Sequence, residues 1–220
     1  MGAWEITTLI IGEVLLTLSV FSAIIALIVF SIRKPIQKHK PIDMLIFDKI
    51  KPRVSTMNSK IMLFITFLGK HQFLIPANLI LIFYFLLVKR QTWFSIRVIT
   101  IAISSLVLML LLKQLFQRKR PLSPLLKAAK GLSFPSGHAI MAVTFYGLLI
   151  YILQHSITID WLNWLLTILV VVLIFLIGFS RIYLRVHYPS DVAAGFIIGL
   201  LWLLISLAVL KWLEGYITSL

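Results

Sequence analysis

The 220-residue chain contains no cysteine. Disulfides, thiolate-bound metal and a cysteine nucleophile are therefore excluded, while nothing follows about compartment. Acidic residues are nearly as scarce. Glu5, Glu13, Asp43, Asp48, Asp160, Asp191 and Glu214 stand against 21 Lys and Arg, for a formal charge of +14. These carboxylates are dispersed, and no two look placed to share a divalent cation, so no metal or other cofactor is expected. No internal repeat and no low-complexity segment is present. The first apolar stretch lacks a basic segment before it and is too long for a signal-peptide core, so it reads as a retained transmembrane helix. Ile6 breaks the myristoylation pattern that Met1-Gly2 would begin.

What the chain has in abundance is apolar side chain: 60% of residues, with a mean hydropathy of +1.04. A single core of this length could not bury so much, so lipid must solvate much of it. Apolar stretches run at about 6–32, 61–88, 94–112, 139–153, 161–179 and 192–213. The expected fold is an all-α, integral-membrane bundle of six transmembrane helices forming one domain over 1–220. A basic linker, 33–60, is broken by Pro35, Pro41 and Pro52 and reads as amphipathic segments in the head-group plane. The positive charge lies between apolar runs and forms no tail, which fits anionic lipid and phosphate better than nucleic acid. No obligate protein partner is implied. Six crossings put Trp4, Trp93, Trp161, Trp164 and Trp212 near one face, as interfacial tryptophans should lie, with Trp202 in mid-helix.

Three polar clusters fall at the opposite face. Lys113 is followed six residues on by Arg120-Pro121. A lysine offers a point charge and an arginine a fork for two phosphate oxygens, although cations at helix ends also serve as snorkelling anchors. Arg118, Lys119, Lys127 and Lys130 read as such anchors. Pro135-Ser136-Gly137-His138 precedes the fourth helix. Gly137 permits close approach of the backbone to an anion at a helix N-terminus; Ser136 is either a hydroxyl donor or a plain cap. His138 can protonate a departing alkoxide near neutral pH. Ser180-Arg181 leads through His187 to Asp191 at the start of the sixth helix. Asp191 can accept the Nδ1 proton of His187, leaving Nε2 free to attack phosphorus. His39, His71 and His155 read as solvated or interfacial, and Glu13 is an unusual carboxylate inside an apolar stretch.

Lys113-x6-Arg120-Pro121, Pro135-Ser136-Gly137-His138 and Ser180-Arg181-x5-His187-x3-Asp191 together resemble the three-part signature of the type 2 phosphatidic acid phosphatase (PAP2) family. The resemblance implies a metal-independent lipid phosphate phosphatase of the cell membrane. His187 would form a phosphohistidine, Asp191 would orient it, and His138 would protonate the leaving alkoxide. Lys113, Arg120, Ser136, Gly137 and Arg181 would hold the phosphoryl oxygens. A phosphotransferase using an alcohol acceptor fits the same residues. A vanadate haloperoxidase shares the signature but is larger and soluble, and a binder with a degenerate site is opposed by every motif residue being in place. Counting basic residues places the site in the cytoplasm. Bacterial proteins with this signature usually open on the extracytoplasmic side, and that side is expected here.

Overall fold

The computed structural model describes residues 40–121, 125 and 131–219. The expected first helix at 6–32, with Trp4 and Glu13, lies outside them, as do His39, Lys127, Lys130 and residues 33–39 of the linker. Apart from Lys40 and Pro41, the described residues belong to one compact unit. Every regular element among them is helical. That follows from a lipid solvent, which offers no hydrogen-bond partner, so backbone groups must be satisfied within each segment.

Helix α1 spans Lys40–Ile50 and is followed by a 3₁₀ turn, Lys51–Arg53. Helix α2 spans Thr56–Phe67, capped by the Ser55 hydroxyl accepting from the Asn58 amide. Helix α3, His71–Phe83, runs on into a π turn at Tyr84–Val88. Then come α4 (Thr92–Phe116), α5 (Gly137–Ser156), α6 (Asp160–Tyr183) and α7 (Pro189–Thr218). The α2–α3 stretch and each of α4 to α7 are long and apolar enough to cross a membrane. Five of the six expected crossings are thus accounted for, each somewhat longer than its apolar run.

Helix α5 is the centre of the bundle, packed between α6 and α7. On one side Leu74 of α3 and Ile174 and Ile177 of α6 enclose Ala142, Val143, Phe145 and Tyr146. On the other, Val98 and Ile101 of α4 and Leu203 and Leu210 of α7 enclose Leu148 and Ile152. The α5–α7 contact is close because Gly195 and Gly199 face it. A Cβ on Gly195 would stand 2.8 Å from the Ala139 Cβ and 2.9 Å from the Ser136 carbonyl oxygen. Small residues four apart are a common device for close helix approach in membranes. Ile80, Leu110, Phe175 and Leu204 are turned outward toward the lipid.

The break between α2 and α3 falls within an apolar stretch, where irregular backbone is tolerated only against protein. It is so covered: the Tyr146 hydroxyl donates to the Leu68 carbonyl at 3.0 Å. Gly69 is buried there, and a Cβ on it would meet Ile177 Cγ2 at 2.6 Å and His138 Cδ2 at 3.2 Å.

Candidate active site

Four helix ends meet at the face opposite Trp93, Trp161, Trp164 and Trp212. Lys113 lies in the last turn of α4, His138 in the first turn of α5, Arg181 in the last turn of α6 and Asp191 in the first turn of α7. The connecting segments bring Arg120 and His187 to the same place. Charges on Arg120, Arg181 and His187 all act on the His138 ring, and those on Arg120, Arg181 and Asp191 on Lys113. The three sequence clusters therefore form one site.

His187 is almost wholly buried, with 2% of its surface exposed. Its Nδ1 lies 2.7 Å from the Ser133 carbonyl oxygen and 3.7 Å from Asp191 Oδ2. A carbonyl only accepts, so Nδ1 carries the proton and Nε2 keeps its lone pair. The tautomer is the one read from the sequence, but the partner differs: a loop carbonyl takes the proton, with the carboxylate one step further away. Nε2 faces Arg120 Nη1 at 3.5 Å. Burial pulls the imidazole down to a pKa of about 4 from 6.5; Asp191 opposes this and Arg120 and Arg181 reinforce it. At neutral pH the ring is uncharged and its Nε2 lone pair is available.

Around that nitrogen stand donors only partly used. Arg120 Nη1 donates to the Val186 carbonyl at 2.8 Å and Nε to that of Gly131 at 3.2 Å. Burial lowers the Arg120 pKa from its ordinary value, with Asp191 opposing. Arg181 Nη1 donates to the Thr66 hydroxyl at 2.6 Å, while its Nε is buried without a partner. Lys113 Nζ donates to the carbonyls of Leu132 and Pro135 at 2.9 and 3.1 Å, so it braces the 131–136 loop. Ser136 makes no capping bond with its side chain, and its buried Oγ has no partner. Its amide is occupied by the Asp191 carbonyl at 3.1 Å. The hydroxyl is thus the group at Ser136 left for a ligand. The His138 Nε2 is likewise buried and unpartnered. Gly137 has a packing reason too, since a Cβ there would stand 3.2 Å from Met109 Sδ.

Asp191 is fully buried. Its Oδ2 accepts from the Ser133 hydroxyl and from the Tyr188 amide at 2.9 Å, and its Oδ1 accepts from Arg118 Nη1 at 2.6 Å. Arg118 is a correction to the sequence reading, which made it a surface anchor. It is 7% exposed, under the Tyr188 ring at 4.2 Å, and its Nη2 donates to Asp43 of α1 at 2.7 Å. Asp43 and Asp191, far apart in sequence, converge on this one guanidinium. Thr66, Gly69, Lys70 and Ser133 also belong to the site. In the sequence, Gly69-Lys70-His71 is a polar interruption within the 61–88 apolar stretch, and it coincides with the α2–α3 break. His71 and His155 are exposed, as expected, and His155 Nδ1 pairs with the Tyr151 carbonyl oxygen at 2.7 Å.

Comparison with known proteins agrees with this geometry. The PAP2 superfamily pattern matches residues 94–214, which include every motif residue. The chain belongs to the PAP2 superfamily. It is an enzyme, a membrane-embedded phosphatase. Phosphatidylglycerophosphatase B of Bacillus subtilis is 33% identical over 147 residues, 65% of this chain and 70% of that one. Undecaprenyl-diphosphatase of Sulfolobus acidocaldarius is 29% identical over 153 residues, 67% of this chain and 68% of that one. Among solved structures, the transmembrane PAP2-type phosphatidylglycerolphosphate phosphatase of Bacillus subtilis superposes with a TM-score of 0.73. It is 28% identical, covering 87% of this chain and 94% of that one. Aquifex aeolicus LpxE gives 0.56 at 27% identity, covering 75% and 94%.

Proposed function

We propose that this PAP2 enzyme hydrolyses a membrane lipid phosphate or diphosphate through a phosphohistidine on His187. The observation that carries the reading is the set of unspent donors around a neutral imidazole. Ser136 Oγ, His138 Nε2 and Arg181 Nε are buried without partners. Each such group costs about 1–3 kcal/mol until an acceptor arrives, and phosphoryl oxygens are acceptors of the right kind.

In the first step the Nε2 lone pair of His187 forms the N–P bond while the P–O bond to the lipid breaks. His138 gives its proton to the leaving oxygen, and the incoming phosphate's charge favours that proton being present. Arg120, Arg181 and Ser136 hold the phosphoryl oxygens, and Lys113 keeps the 131–136 loop in place. In the second step His138 takes a proton from water, whose oxygen attacks phosphorus and releases His187 and inorganic phosphate. These groups need no metal ion to polarise the phosphoryl group.

The substrate class includes phosphatidic acid, phosphatidylglycerol phosphate, undecaprenyl pyrophosphate and the 1-phosphate of lipid A. Lys70 favours a diphosphate: its charge acts on His138, the side from which the leaving group departs. A leaving group that is itself a phosphate gains most from it. We place the site on the extracytoplasmic face of the cytoplasmic membrane, as in bacterial proteins with this signature. The opposing charge count weakens once Arg118 is set aside, because its charge is met by Asp43 and Asp191.

The test is phosphate release by detergent-purified protein in EDTA across those four lipids, with His187→Ala alongside. Turnover that the variant loses is expected. Turnover that survives it refutes the nucleophile, and product appearing on an added alcohol instead of water makes the enzyme a phosphotransferase.

A further inference from the structure

The most elaborate charged cluster among the described residues lies on the Nδ1 side of His187. Asp43, Arg118 and Asp191 are 2%, 7% and 0% exposed. Arg118 reaches Asp43 Oδ2 at 2.7 Å and Asp191 Oδ1 at 2.6 Å. Ser190 closes the ring. Its amide donates to Asp43 Oδ1 at 3.0 Å, its hydroxyl to Asp43 Oδ2 at 2.9 Å, and Arg118 Nη1 donates to that hydroxyl at 2.7 Å. Phosphate chemistry uses none of these contacts, and desolvating three charges is costly.

Charge counting gives the cluster a purpose. Arg118 paired with Asp191 alone would be neutral, and the carboxylate behind His187 would be spent. Two carboxylates sharing one guanidinium leave a single negative charge. That charge matters once Nε2 has attacked phosphorus. With Nδ1 still protonated against the Ser133 carbonyl, the ring becomes cationic in a site already holding Arg120 and Arg181.

We propose that Asp43 is a positioning residue for the reaction. By sharing Arg118, it leaves Asp191 free to stabilise the cationic, phosphorylated ring of His187. The inference rests on His187 being the nucleophile. Helix α1 is the carrier: Phe47 and Ile50 are buried with Asp43, while Ile42, Met44 and Leu45 between and beside them face outward.

The experiment is a kinetic cycle on the full chain in detergent, with rapid-quench trapping of the acid-labile, base-stable phosphoenzyme. Asp43→Asn keeps the shape and removes the charge. Its kcat falls about tenfold with KM held within about twofold, and less phosphoenzyme accumulates. Adding Arg118→Met restores one net negative charge, so the double variant is faster than Asp43→Asn alone. A merely structural Asp43 gives the opposite pattern, with the double variant worse than the single; that pattern overturns the proposal. Should Asp43→Asn not fold, the double variant alone decides: kcat within about tenfold of wild type supports the charge argument, and a larger loss overturns it. A wild type that forms no phosphohistidine overturns the nucleophile and this inference with it. A wild type that forms one, with Asp43→Asn unchanged, overturns only the role of Asp43.

Discussion

The protonation of His187 is the sharpest physical consequence of the site. Burial lowers its pKa to about 4 from the ordinary 6.5, with Asp191 at 3.7 Å opposing. At pH 6 a pKa of about 4 leaves about 1% of the ring protonated, whereas the ordinary value would leave about three quarters. The proposed nucleophile should therefore stay uncharged well into acid, so an acid limb near pH 6 would come from the substrate. The chain has five histidines, few enough for ¹⁵N-histidine NMR in detergent micelles, with His187→Ala supplying the assignment. The expected result is one imidazole with Nδ1 protonated that titrates near pH 4. Stability follows with a definite sign. Between pH 6.5 and 4 the unfolded chain binds a proton that the native ring refuses, so stability falls as pH falls through that window. The loss is about 3 kcal/mol at its lower end and nil above pH 7. A His187 resonance titrating near 6.5, or one with the proton on Nε2, refutes both the burial argument and the role of Ser133.

Three further outcomes can be measured on the same preparation. Ser136→Ala should lower kcat by about 10²–10³ without moving the thermal midpoint, because the hydroxyl does not cap α5. Lys70→Met should cost a lipid diphosphate about tenfold more in kcat/KM than a monophosphate, and an equal loss on both would remove Lys70 from the leaving-group side. Gly195→Ala should destabilise the bundle by about 1–3 kcal/mol, read as a drop in unfolding temperature, since the new methyl would overlap Ala139 and the Ser136 carbonyl.

The convergence of the motif residues was legible because each sits at the end of an apolar run, and run ends sort to one face or the other by alternation. Lys113, His138, Arg181 and Asp191 needed no distant information. Helix limits were less legible: apolarity fades at Leu112, yet α4 continues to Phe116 because backbone bonding does not need apolar side chains. The α2–α3 break showed as a polar interruption, but its meaning came only with His138 packed against Gly69. Arg118 could not be read at all. An arginine just past a helix end has the same neighbours in sequence whether it snorkels to the head groups or turns inward. What turns it inward is Asp43, on a helix brought beside it by the fold.

That difference has a chemical consequence for the family signature itself. The motif names the groups proposed to meet the phosphoryl oxygens and the histidine proposed to attack. The spacing of His187 and Asp191 suggests a direct bond, yet the Nδ1 proton goes to the Ser133 carbonyl and the carboxylate stands behind it. A carboxylate in that position acts mainly through its charge, and a charge is only as effective as its neighbours leave it. Arg118 alone would cancel it; Arg118 shared with Asp43 does not. On the role proposed for Asp43, the field at His187 is therefore tuned by a helix outside the motif.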